Sequence, residues 1–241
     1  MGGLFSLVQR LGSTQLQNIV ENLAQESAVD EGRTVIDFKL FDRQLINYGI
    51  SSISSGVITA KTGTFVMPQL TQFFNKTAEG RTLQGLQIEN NTVRINNLVL
   101  DGKADEPYRF DRLAVDIEVF DNTAKSGGSA GLEYAGGVSE ESASVYRRIM
   151  NSGKLILNVN GRDLNYAEPL GFGGSSIALD GTEVKNVYNK KTPKYIDPAI
   201  FLPETTSFNA KIEMVEPVEI PAYMSVAITV CLIGYKFLKN A

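Results

Sequence analysis

The opening residues MGGLFS carry the pattern of an N-myristoylation site, a glycine at position 2 to be acylated and a small hydroxyl residue, Ser6, four positions on. The run GFGGSS at 171–176 has the glycines of a phosphate cradle. It has neither the Lys of a Walker loop nor a helical pattern after it, and reads as a flexible loop. Asn75-Lys76-Thr77 and Asn90-Asn91-Thr92 match the glycosylation acceptor pattern, which has weight only behind a secretory signal. Asp and Glu number 27, so a glycosidase-like pair needs only two of them brought together by folding. Most alternate with apolar residues, however, and read as the wet faces of sheets.

The chain contains no His, which removes imidazole general bases, Ser-His-Asp and Cys-His arrangements, and His-ligated metal sites. Its one Cys, Cys231, lies in the apolar run VAITVCLIGY and reads as a buried, inert thiol without an internal disulfide partner. The net charge is −4 with Lys and Arg dispersed, so no dedicated nucleic-acid site is expected. No cofactor site, metal site or catalysis is expected either.

The elements around these residues divide the chain. Leu4, Leu7, Val8 and Leu11 follow the i, i+3, i+4, i+7 spacing, and Leu16, Ile19, Val20 and Leu23 repeat it beyond Gly12. Thr14 and Gln17 have capping-box spacing for the second helix. With Phe5 added, these apolar residues are the expected contacts with a membrane or a neighbouring subunit, whether or not Gly2 is acylated. Arg10 is the one basic residue among them, which disfavours an anionic lipid surface. The polar stretch AQESAVDEGR, 24–33, reads as the linker to the body, and the chain divides into an N-terminal helical arm and linker at 1–32 and a body at 33–241.

A basic segment followed by a continuous apolar core and a cleavage site is not seen, so synthesis in the cytoplasm is expected. The longest apolar stretch, 222–235, contains Ser225 and Thr229 and is shorter than the roughly 20 residues of a spanning helix; it reads as a buried strand.

In the body the period changes to two. Ile36, Phe38 and Leu40 alternate with Val35, Asp37 and Lys39, and Leu86 and Ile88 face Val93 and Ile95 across Asn90-Asn91 as a hairpin. In 113–120, Leu113, Val115, Ile117 and Val119 share one face and Asp116 and Glu118 the other. Further strands are read at 155–159 before an Asn160-Gly161 turn, at 177–179, at 208–214 and at 224–238. Short helices are expected at 69–75 and 143–151, and a Gly/Ser-rich loop or boundary at 121–144. About ten to twelve strands with few intervening helices favour an antiparallel β-sandwich.

The C-terminal third, FLPETTSFNAKIEMVEPVEIPAYMSVAITVCLIGYKF, resembles the closing strands of jelly-roll capsid proteins from icosahedral viruses, especially tailless bacteriophages with an internal membrane. The resemblance lies in the entry at Leu202-Pro203, the alternating strand with Phe208 and Ile212, the loop at Pro217 and Pro221, and the last apolar strand ending at Gly234-Tyr235. It implies an all-β, antiparallel jelly-roll type β-sandwich, of one elaborated or two small barrels, with an N-terminal amphipathic helical arm. It further implies a virion structural protein that self-assembles into the capsid shell, its arm facing the interior membrane or neighbouring subunits, its partners other copies or other capsid proteins. The alternatives are a receptor- or carbohydrate-binding β-sandwich of a spike or tail, for which Tyr134, Tyr166 and Phe172 would serve, and a lipid-anchored peripheral protein.

Overall fold

The computed structural model describes residues 32–54, 57–77, 94–123, 139–166, 170, 176–180, 183–187 and 193–239. The two apolar stripes of the arm, most of the expected 86–95 hairpin, residues 124–138 of the Gly/Ser-rich segment and 171–175 lie outside these residues.

The described chain is all-β with antiparallel pairing throughout and one helix. A five-stranded sheet contains β1 (Arg33–Asn47), β6 (Arg94–Asn96), β7 (Tyr108–Asp121), β12 (Lys194–Leu202) and β15 (Met224–Lys239), in the order β12-β7-β15-β1-β6. A four-stranded sheet contains β5 (Leu70–Phe73), β8 (Gly153–Val159), β9 (Arg162–Tyr166) and β13 (Phe208–Met214), in the order β5-β13-β8-β9. Two hairpins, β2 (Ile50–Ser54) with β3 (Val57–Ala60) and β10 (Ser176–Asp180) with β11 (Glu183–Val187), stand apart in the pairing. So does the pair of β4 (Thr64–Val66) with β14 (Glu219–Pro221).

Alternation decides which face is buried. Leu113, Val115, Ile117 and Val119 of β7 stand in register opposite Leu232, Val230, Ile228 and Val226 of β15, and all eight join the core. A one-residue slip of β15 would turn Ala227, Thr229, Cys231 and Ile233 inward instead. Since each fully buried Val, Leu or Ile stabilises by about 1.5–3 kcal/mol, the register is strongly specified. Facing residues of the other sheet, among them Leu155, Leu157, Ala210 and Ile212, belong to the same buried cluster.

The helix α1 (Glu140–Ser152) begins earlier than its apolar spacing indicates, because Ser139 caps it: Ser142 donates its N–H to the Ser139 hydroxyl and Ser139 donates its own to Ser142. Glu140 and Glu141 occupy the first turn, and Val145, Tyr146 and Ile149 enter the core. The expected helix at 69–75 is overturned. Residues 70–73 form β5, paired with β13 from Glu213 to Ala210. A partner strand far along the chain outweighs a weak local helical spacing.

The connections nest. Taking β1, β5, β7, β8, β9, β12, β13 and β15 in chain order, the first pairs with the last, the second with the seventh, the third with the sixth and the fourth with the fifth. Between the first two of these pairs, β4 pairs with β14, so the doubled chain stays paired as it passes from one sheet to the other. Glycine is required at two close approaches. A Cβ on Gly49 would lie 2.0 Å from the Tyr223 carbonyl oxygen, and one on Gly234 would lie 2.0 Å from that of Arg109, where β15 shifts register against β7.

Candidate functional site

The nine apolar residues expected to make contacts, Leu4, Phe5, Leu7, Val8, Leu11, Leu16, Ile19, Val20 and Leu23, lie outside the described residues, as do Tyr134, Phe172 and the side chain of Tyr166. Within the described residues, polar chemistry gathers at two places and aromatic surface at a third.

The first is a joint between the sheets. Phe38, Leu40, Asp42 and Gln44 share the inward phase of β1, so a carboxylate and an amide occupy positions where the pattern calls for apolar residues. Asp42 is fully buried and accepts the Phe74 N–H at 2.7 Å, just past the end of β5. Phe74 is itself fully buried and held at φ +60°, a left-handed conformation rare for a bulky residue. Arg94 Nε lies 3.6 Å from Asp42, Asn96 Nδ2 3.4 Å, and Arg94 also donates to Asn75 Oδ1 at 2.7 Å and the Gln72 carbonyl at 2.9 Å. Gln44 donates to the same carbonyl. Burial raises the Asp42 carboxyl above its usual range, against the opposing pull of the Phe74 amide and Arg94. These groups bind one another and the backbone; their chemistry is that of a clamp.

The second lies where the five-stranded sheet continues past the joint. Lys236 Nζ is 2.7 Å from Asp105 Oδ2 and sits 5.2 and 5.3 Å from the ring centroids of Phe38 and Tyr108, which stack at 5.3 Å. Tyr108 donates its hydroxyl to Asp105. Burial acts to raise the Asp105 carboxyl, but the hydrogen bonds from Lys236 and Tyr108 prevail and hold it below the usual carboxylate range. Burial and the Asp105 charge push the Tyr108 hydroxyl far up.

The third is the outward face of the same sheet. Register places Phe201, Arg109, Tyr235 and Asp37 in one row across β12, β7, β15 and β1, and Tyr195, Arg112, Ile233 and Lys39 in the next. Tyr195 is 68% exposed and Phe201 50%. Arg109 lies 5.9 Å from the Tyr235 ring centroid, and Phe201 meets Phe237 edge to face. Tyr, Phe and Arg on one face are the composition of binding hot spots rather than of an inert surface. Cys231, beside Lys39 of the second row, is buried and in no disulfide; burial pushes its thiol up, against the opposing pull of Lys39.

Among the described residues, no group of three or more His, Cys, Asp or Glu side chains is placed to hold a metal ion, and no helix is long and apolar enough to cross a membrane. Comparison of the chain with protein-family models, with curated proteins and with solved structures gave no match.

Sequence reasoning did not find the joint or the aromatic rows. The joint left one signal, polar residues at 42 and 44 in the inward phase of an alternating strand. The rows left none, since each of their residues comes from a different strand.

Proposed function

We propose that the chain is a virion structural protein of jelly-roll type that builds a capsid shell by symmetric self-assembly. The observation that supports this best is the nested pairing of first strand with last, second with seventh, third with sixth and fourth with fifth. A long hairpin rolled into two sheets has that pairing, and jelly rolls of this kind are used by capsid proteins as well as by lectins and cupins. Among the described residues one buried cluster is shared by both sheets, which fits one elaborated barrel. The resemblance of the C-terminal third to phage capsid strands weighs toward a shell, as do the apolar stripes 4–11 and 16–23. The arm would then contact an internal membrane or adjacent subunits, and function would come from repeated burial of subunit surface without catalysis.

Light scattering and electron microscopy of the purified chain test this reading. Ordered particles or discrete oligomers are expected, and deleting residues 2–23, or replacing Leu7 and Leu11 by Asp, is expected to impair them while the β body stays folded. A strictly monomeric chain at high concentration, absent from purified particles, would overturn it.

A receptor- or carbohydrate-binding module is the second reading, favoured by the exposed Tyr195 and Phe201 beside Arg109 and Tyr235. Binding of oligosaccharides that is lost in Tyr195→Ala and Phe201→Ala, by a chain that never assembles, would select it.

A further inference from the structure

In an antiparallel sheet with one buried face the outward positions are ordinarily polar. Each sheet of this molecule breaks that pattern at one place, and the two places carry charge of opposite sign. The first is the pair of rows on the five-stranded sheet, where Tyr195 is 68% exposed and Phe201 50%. Arg109, Arg112 and Lys39 stand in these rows with one carboxylate, Asp37. Asp111 accepts from Arg112 at 3.0 Å, and Lys194 and Asp197 beside Tyr195 offset each other, so three cations against two carboxylates leave this face positive.

The second is the end of the four-stranded sheet. Thr71 and Phe73 of β5 and Ile212 and Met214 of β13 are buried, so Leu70 and Glu213, which stand opposite each other, face outward. Met214 donates its N–H to the Gln69 carbonyl at 2.9 Å, and the same register sets Val215 beside Pro68. Leu70 is 47% exposed and Val215 68%, with Pro68 and Pro217 exposed next to them. Glu216 and Glu219 are exposed here too, while Glu213 is held by Lys154 at 3.1 Å. Three carboxylates against one cation leave this corner negative.

We propose that the aromatic rows of one copy dock on the Leu70–Val215 corner of a second copy. Exposed apolar residues grouped within a polar surround mark interaction sites, and Tyr, Phe and Arg are the side chains that anchor them. The charges select the pairing. Face against face would set cation against cation, and corner against corner would set carboxylate against carboxylate, whereas face against corner brings Arg109, Arg112 and Lys39 toward Glu216 and Glu219. Each surface lies on the outward side of a different sheet, and the two sheets share one core, so one copy presents both at once. The contact is heterologous and repeats from copy to copy, as a many-membered ring or shell requires. It deepens the shell reading, on which it rests for its purpose, and does not involve the arm.

The test uses the full chain in two complementary variants. Tyr195→Asp with Phe201→Asp disables the face, and Leu70→Asp with Val215→Asp disables the corner, because a carboxylate opposes burial in either. All four positions are exposed, and circular dichroism verifies that both variants fold. In sedimentation each variant alone is expected to lose the oligomers of the parent chain. An equimolar mixture is expected to form 1:1 pairs that grow no further, since one intact face then meets one intact corner. Oligomers or particles formed by either variant alone as by the parent overturn this contact and leave the shell reading standing. A mixture that stays monomeric while both variants are folded also overturns it. A strictly monomeric parent chain removes the contact and the shell reading together, and oligosaccharide binding by that chain, lost in the face variant, would give the rows to the sugar-binding reading.

Discussion

Residues 40–47 of β1 lie between β15 and a joint of side chains that grip the backbone of the opposite sheet, whereas residues 33–38 lie between β15 and a flank on which no segment is described. Polar or charged groups occupy inward-facing positions beside both halves, from β15 in the first and from β1 itself in the second. In the first half Phe38 and Tyr108 cradle Lys236; in the second Asp42 and Gln44 hold Phe74 and Gln72. The difference teaches where rigidity is located. A buried carboxylate satisfied by a backbone amide fixes one strand against another, while an aromatic and ionic cluster closes the inner face beside Phe38.

The comparison would break most severely at the tight end. Gly49→Ala drives a methyl group to 2.0 Å from the Tyr223 backbone carbonyl and should destabilise by about 4 kcal/mol or prevent folding, read by thermal or urea unfolding. Next is Asp42→Ala, which leaves the Phe74 amide and Arg94 without their buried acceptor and should cost about 3 kcal/mol. Asp42→Asn keeps an acceptor without a charge and should cost far less. Because folding raises the Asp42 carboxyl above its ordinary 3.8, the folded chain holds that proton more tightly than the unfolded one. Its contribution to stability is therefore fully present below the unfolded value and declines as pH rises through the folded one. Urea titrations across this window should show that decline in the parent chain and lack it in Asp42→Asn.

At the Phe38 end the sign reverses. Asp105 is held below the usual carboxylate range, so its contribution is present above the unfolded value and is lost as pH falls through the folded one. Lys236→Met should cost about 2 kcal/mol near neutrality and flatten that acid limb, in the same titrations. The smallest effect is expected midway, where Cys231 stands opposite Phe41 and Ala114. Cys231→Ala should cost about 1 kcal/mol and leave assembly unchanged, measured by unfolding and light scattering.

Much of the fold could be read locally. The alternation of 113–120, the last apolar strand, the Asn160-Gly161 turn with φ +51° and +78°, and the helix near 143–151 each follow from side-chain period or turn chemistry within a few residues. Where local spacing was weak and a distant partner strong, as at 69–75, the reading failed.

What the sequence determined by itself is therefore the all-β character, the burial of Cys231 and the absence of imidazole chemistry, because period, composition and hydropathy are properties of short stretches or of the whole. The tertiary structure alone decided that Asp42 meets Phe74 and Arg94, that Lys236 lies over Phe38 and Tyr108, and that aromatics from β12 and β15 share a row with Arg109. Each of these is a pairing between residues tens to more than a hundred positions apart, selected by the burial of entire strands, and no spacing along the chain encodes it.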